Sequence, residues 1–169
     1  MANPDDVEMV GTNDETIHLR GSEARSDVRF DATVRRKITA SRSNENFDAG
    51  RVTEPDRVFL NLENVRGRND ATAFYVYVGL PDDAHAVDHP DRLAGSIALF
   101  GVREASETDG EMAGQGLTYV LDISRIVDDM HLRDSFDVDR LSVRIVPTNP
   151  VDDDAQVSIG RISVFRQGR

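Results

Sequence analysis

Histidine is scarce in this chain, and its four copies, His18, His85, His89 and His131, are the residues from which metal or acid–base chemistry would have to be built. His85 and His89 stand four apart, a spacing that serves one metal ion when both side chains lie on a helix. Pro81 and Pro90 bracket the pair, so the segment reads as a loop, and Asp82, Asp83, Asp88 and Asp91 around it favour plain solvation over ligation. The two histidines are metal candidates by spacing alone. His18 and His131 are isolated. Carboxylates are abundant, so proximity in sequence says little about any pair, and general acid–base work requires environments that split two pKa values apart. Asp152-Asp153-Asp154 lacks the spaced oxygen ligands and turn glycine of a calcium loop and reads as a charged hairpin tip. Without cysteine there is no thiolate nucleophile, disulfide or sulfur-ligated metal. No Gly-x-Ser-x-Gly elbow, phosphate-cradling loop or dinucleotide fingerprint occurs.

The elements that would position these residues are strands. Thr72–Pro81 alternates Phe74, Val76, Val78 and Leu80 against Tyr75 and Tyr77, the pattern of a central strand. Arg57–Val65 alternates as well, and with only Arg66-Gly67-Arg68-Asn69-Asp70 between them the two are expected to form a hairpin. Further strands are expected over Ser26–Val34, over Arg92–Val102 with Ala98 and Phe100 on one face, over Leu117–Asp122 and over Asp139–Val146. The last, Gln156–Phe165, changes face at Gly160-Arg161, as across a β-bulge. Ser124 is placed to cap a short helix near 124–130 with Asp128 and Asp129 toward solvent. Residues 35–55 are polar and read as a long loop, with Phe47 as an anchor. These signals give an all-β fold, an antiparallel β-sandwich of Greek-key or jelly-roll type with about 7–8 strands and one short helix. Residues 1–15 are expected to be an N-terminal tail or linker, and 16–169 a single domain.

A chain of 169 residues can bury a core without staples. Its net charge of −11 argues against nucleic acid and anionic membranes as partners, because both demand a cationic footprint. No apolar run approaches a membrane span, and the start, MANPDDVEMV, lacks the order of a signal peptide, which leaves the cytoplasm as the default location.

Several segments, taken in order, resemble the C-terminal domain that follows the dinuclear copper domain in tyrosinases, catechol oxidases and plant polyphenol oxidases. Glu8-Met9-Val10-Gly11 followed by Ile17-His18-Leu19-Arg20-Gly21 is similar to the junction after the bacterial copper domain. Phe74-Tyr75-Val76-Tyr77-Val78 and Leu93-Ala94-Gly95-Ser96-Ile97 resemble two strands of the plant family, the second its F-A-G-S-F strand. Leu121-Asp122-Ile123, Leu141-Ser142-Val143-Arg144-Ile145-Val146-Pro147 and Val157-Ser158-Ile159-Gly160-Arg161-Ile162 continue the match.

The resemblance implies a β-sandwich that packs on the copper domain, covers the entrance to its active site, and in latent enzymes inserts a side chain where the phenol would bind. It implies no cofactor in this chain. The family's dinuclear copper needs six histidines on helices, so it belongs to the partner domain, joined in cis or met in trans. The chain would be no enzyme by itself. The covering loops would be 80–91 and 103–116, with Pro81, Asp82, Asp83, His85, His89, Glu104, Glu107 and Met112 as candidate docking or covering residues. The alternative is a free-standing binding module for a carbohydrate or protein, favoured if Tyr75, Tyr77 or Tyr119 lies exposed on a flat face and disfavoured if those rings are buried. An enzyme using loop carboxylates ranks last, because no constellation supports one.

Overall fold

Alternating apolar residues with few helix-favouring runs make paired strands the only way to bury this chain's hydrophobic side chains. The computed structural model describes residues 7–32, 57–68, 72–108, 114–133 and 135–167. Among them are nine strands: β1 (Val7–Thr12), β2 (Ile17–His18), β3 (Ala24–Phe30), β4 (Arg57–Arg66), β5 (Ala73–Val78), β6 (Leu93–Ala98), β7 (Leu117–Asp122), β8 (Arg140–Pro147) and β9 (Ser158–Gln167). Two helices, α1 (Val102–Ser106) and α2 (Ser124–Leu132), and three short 3-10 turns complete them. The strands pair antiparallel along one path, β6-β5-β8-β3-β1-β9-β4-β7, with β2 added to β9. The path curls until its two ends meet, giving a barrel-like antiparallel sheet. The anticipated loop over 35–55, with Phe47, lies outside the described residues.

The core fills the barrel. Phe74, Val76 and Val78 from β5, Val143 and Ile145 from β8, Leu60, Leu62 and Val65 from β4, and Ile159, Ile162 and Val164 from β9 all point inward and are essentially inaccessible. Burying a side chain of this kind contributes roughly 1.5–3 kcal/mol. Helix α2 adds Ile126, Val127 and Met130 to the same core.

Four sequence expectations change. β4 and β5 do not form a hairpin: β4 lies between β9 and β7, and β5 between β8 and β6. Residues 7–12, expected within an N-terminal tail or linker, are strand β1, paired with β9 and β3. Ser124 does not cap α2 through its own side chain. Its hydroxyl instead donates to Asp122 Oδ1 at 2.6 Å, and the same oxygen accepts the Ser124 amide at 3.0 Å. Those two bonds hold the Asp122 carboxyl below its usual range, the Ser124 hydroxyl being the larger cause. Finally, β9 does change face between Ile159 and Ile162, yet its register against β4 runs on without a slip. β4 changes face at the same level, where Asn64 adopts φ 54°, and the register shift falls between β4 and β7. Paired inward residues thus stay paired, Leu62 with Ile162 and Val65 with Ile159.

Candidate functional site

The loop after β5, residues 80–92, begins at Gly79, whose φ of 70° turns the chain back over the outer face of the sheet. A side chain at Gly79 would also collide with Met130 of α2. On its underside the loop buries Leu80 and Ala86 against Tyr77 of β5, with Leu93 and Val146 beside them, a small second core outside the barrel.

What fixes the loop is its backbone. The Ser142 hydroxyl donates to Leu80 O at 3.1 Å, Arg25 Nη1 to Asp82 O at 2.7 Å, Arg144 Nη2 to Pro81 O at 3.0 Å, and Arg144 Nη1 to Ala84 O. Arg25 and Arg144 are direct cross-strand neighbours on β3 and β8. Two like charges there are tolerated because Glu23 lies between them, 2.9 Å from Arg25 Nε and 3.4 Å from Arg144 Nε. Arg144 is only 4% exposed, so its guanidinium spends its donors on carbonyls and a carboxylate rather than on water. Residues 80–92 are therefore a clamped strap, not the solvated loop that their composition suggests. At the strap's far end Arg92 is buried, donates from Nη2 to the Ser135 hydroxyl at 3.3 Å, and leaves Nη1 without a hydrogen-bond partner among the described residues.

The strap carries most of the sequence candidates. Pro81, Asp82, Asp83 and His85 are exposed on it, His89 is half-buried, and Val87 stands out at 81% exposure. Glu104 and Glu107 are elsewhere, on and just after α1, both exposed. Met112 lies outside the described residues. Nor do the two loops build one pocket. Glu107 lines a cleft of about 1080 Å3 with His18, Arg20, Arg66, Arg68 and Asp153, whereas Asp82 lines a hollow of about 180 Å3 with Arg25 and Ser142. Arg20 and Asp153 approach to 3.9 Å in the larger cleft, both well exposed, a pairing of little energetic consequence.

The histidines are dispersed. His18 ends β2, His85 and His89 flank a 3-10 turn in the strap, and His131 sits on α2 with its ring 4.3 Å from that of Phe136. Among the described residues no three His, Cys, Asp or Glu side chains converge as a metal site would require. The residues present do not fit a dinuclear copper centre. The tyrosines separate too: Tyr77 is buried under the strap, Tyr119 points inward and donates its hydroxyl to Ala98 O at 3.3 Å, and Tyr75 is 40% exposed. Burial pushes the Tyr119 phenol up. Sequence reasoning does not reveal that the strap covers Arg144; a polar loop long enough to fold back over an arginine-bearing strand is the available signal.

A family model described as "Domain of unknown function (DUF7868)" matches residues 6–167. The chain belongs to this family. Within it, 70% of this DUF7868 chain aligns at 28% identity over 119 residues with a tyrosinase of Hahella sp. (strain CCB-MM4), spanning 25% of that protein. In fold it is similar to a latent apple tyrosinase, with TM-score 0.52 and 20% identity over 89% of this chain and 27% of that one. A recombinantly expressed latent aurone synthase (polyphenol oxidase) gives TM-score 0.53 and 14% identity over 89% and 25%. The chain spans about a quarter of the length of each of these proteins. It is a tyrosinase-related domain, in agreement with the resemblance read from its strand motifs.

Proposed function

We propose that this domain is the non-catalytic, shielding or structural part of a tyrosinase-like type 3 copper phenol oxidase. It packs on the copper-binding domain, in cis or in trans, and covers the entrance to the active site. One observation carries the reading: the chain aligns with a quarter of a tyrosinase, while its own four histidines are spread over β2, the strap, which holds His85 and His89, and α2. The copper and its oxidation chemistry belong to the partner. The residues of this chain supply surface and rigidity.

The clamped strap supports the shielding form of the reading. A cover that excludes substrate must not fluctuate open, and four strap carbonyls held by Ser142, Arg25 and Arg144 restrict such motion. The alternative of a free-standing carbohydrate or protein module has less behind it, because only Tyr75 of the three tyrosines offers an open ring.

The test uses the tyrosinase-type copper domain encoded in frame with this chain or beside it. Phenol oxidation by that domain should fall when this chain is present and recover after protease removes it. Full activity in a demonstrated complex would leave a structural role and end the shielding one. Elemental analysis of the purified chain should find no stoichiometric copper, and two coppers per molecule would overturn the reading.

A further inference from the structure

β6 and β7 are the two ends of the hydrogen-bonded path, and where they meet, side chains join them. Gly95 lets β6 approach β7 so closely that a Cβ there would lie 2.9 Å from Leu121 Cδ2, and the Tyr119 hydroxyl crosses to Ala98 O. Each end strand presents a backbone edge, which proteins ordinarily guard with charge, proline or a covering segment. Leu93–Ala98 has no charged residue, and Leu117–Asp122 has one only at its last position. The outward residues on this side are Tyr75, Ser96, Ala98, Phe100, Thr118, Val120 and Asp122, all exposed, and Asp122 at the end of β7 is the one charge among them. Tyr75 pairs with Ser96, and the Tyr119 hydroxyl ties β7 to the end of β6 at Ala98. Phe100 is 79% exposed yet fixed in place. Leu99 and Val102 on either side of its turn are fully buried, Val102 N donates to Leu99 O at 3.3 Å, and Leu99 N donates to Thr72 O at 2.9 Å. Isolated exposed apolar residues are ordinary, but a face with a single charge at its end, presenting Phe100 on a turn whose backbone is held, on a chain of net charge −11, is the signature of a covered surface.

We infer that the β5–β6–β7 side is the docking surface of this domain, with Phe100 and Val120 at its centre, and that its occupant is the copper-binding domain of the same oxidase. This rests on the function proposed above. The tyrosinase relative is matched over only 25% of its length, so most of that protein lies beyond the matching part and must meet one of its faces. A second copy of this chain is the poorer occupant, because it brings a further −11 of charge and long-range repulsion.

The experiment measures calorimetric binding of this chain to the copper domain named above, with sedimentation of each protein alone. Phe100→Asp and Val120→Asp are the test variants. Arg29→Asp, exposed on the opposite β3 face, is the control and adds more negative charge than either. All three should keep the parent circular dichroism spectrum, since each site is exposed. The inference expects both seam variants to weaken binding at least about tenfold and Arg29→Asp to change it by less than about twofold. Undiminished binding of both seam variants would overturn the surface while leaving the proposed function standing. A chain that ignores the copper domain but dimerises, with the dimer abolished by Phe100→Asp, would overturn the occupant and the proposed function together.

Discussion

On the β3–β8 side of the barrel the outward residues are Arg25, Asp27, Arg29, Arg140, Ser142 and Arg144, and all but Arg29 are tied to one another, to Glu23 or to the strap. On the β5–β6–β7 side, beyond the strap's edge, they are Tyr75, Ser96, Ala98, Phe100, Thr118 and Val120, uncharged and open, with Asp122 the one charge at the end of β7. Both faces come from the same alternation, and in both the inward partners are mostly buried apolar side chains. The difference lies in what covers each face. The charged face has its cover within the chain, since the strap lies on Arg144 and spends that arginine's donors. The uncharged face has none among the described residues. A surface that has already satisfied its polar groups internally contributes to stability, whereas one that offers apolar area contributes to association.

That contrast predicts unequal stability effects. Arg144→Met removes the donors to Pro81 O and Ala84 O and leaves Glu23 facing Arg25 alone, so it should destabilise the domain by about 3 kcal/mol, read from the urea midpoint. Hydrogen exchange should quicken in residues 80–92 before the barrel strands. Phe100→Ala, on the other face, should stay within about 0.5 kcal/mol of the parent. Equal losses from the two would break the comparison. Gly79→Ala comes next. Its φ of 70° disfavours any β-carbon and Met130 stands against it, giving a loss of about 1–2 kcal/mol that falls on the strap's entry. A neutral Gly79→Ala would mean that the strap's start can relax without disturbing α2.

Much of this arrangement is visible in the sequence, and the exceptions have physical causes. Alternation puts Ala98 and Phe100 on one face of the strand expected over Arg92–Val102, and the structure makes that face the outward one, with Leu99 buried on the other. Pairing partners are another matter. β4 and β5 are neighbours in sequence, yet β4 pairs with β9, as Glu63 and Arg161 show, because alternation specifies which face is buried and not which strand lies beside it. The strap is illegible for a different reason. Its clamped groups are backbone carbonyls, identical at every residue, so no side-chain pattern in PDDAHAVDHP distinguishes a held loop from a solvated one. The candidates His85 and His89 were singled out by side-chain spacing, and that same spacing places them on the strap's 3-10 turn. Phe100 belongs to the opposite case: it shares a face with Ala98, and its exposure follows from the turn that buries Leu99 and Val102 on either side of it.

The smallest predicted effect lies on the outer face of β4 and β9, one strand away from Val120. Arg161 donates to both oxygens of Glu63, at 2.6 and 3.0 Å, and the Ser163 hydroxyl adds a third bond at 2.9 Å. The Arg161 bond is the largest cause holding the Glu63 carboxyl below its usual range, with Ser163 assisting and burial opposing. A carboxyl whose folded pKa is depressed stabilises the fold fully above the unfolded value, about 4.3, and loses that contribution as the pH falls through the folded value. Arg161 is 46% exposed, so solvent screens the pair and its worth stays below about 1 kcal/mol. Glu63→Gln should therefore flatten the acid limb of the stability curve below about pH 4.3 and lower the plateau above it by less than about 1 kcal/mol. An unchanged acid limb in Glu63→Gln would assign the domain's acid sensitivity to other carboxylates, Asp122 with its Ser124 bonds first among them. It would also show that a charged pair held in bidentate geometry beside the open face adds no more to stability than the uncharged residues next to it.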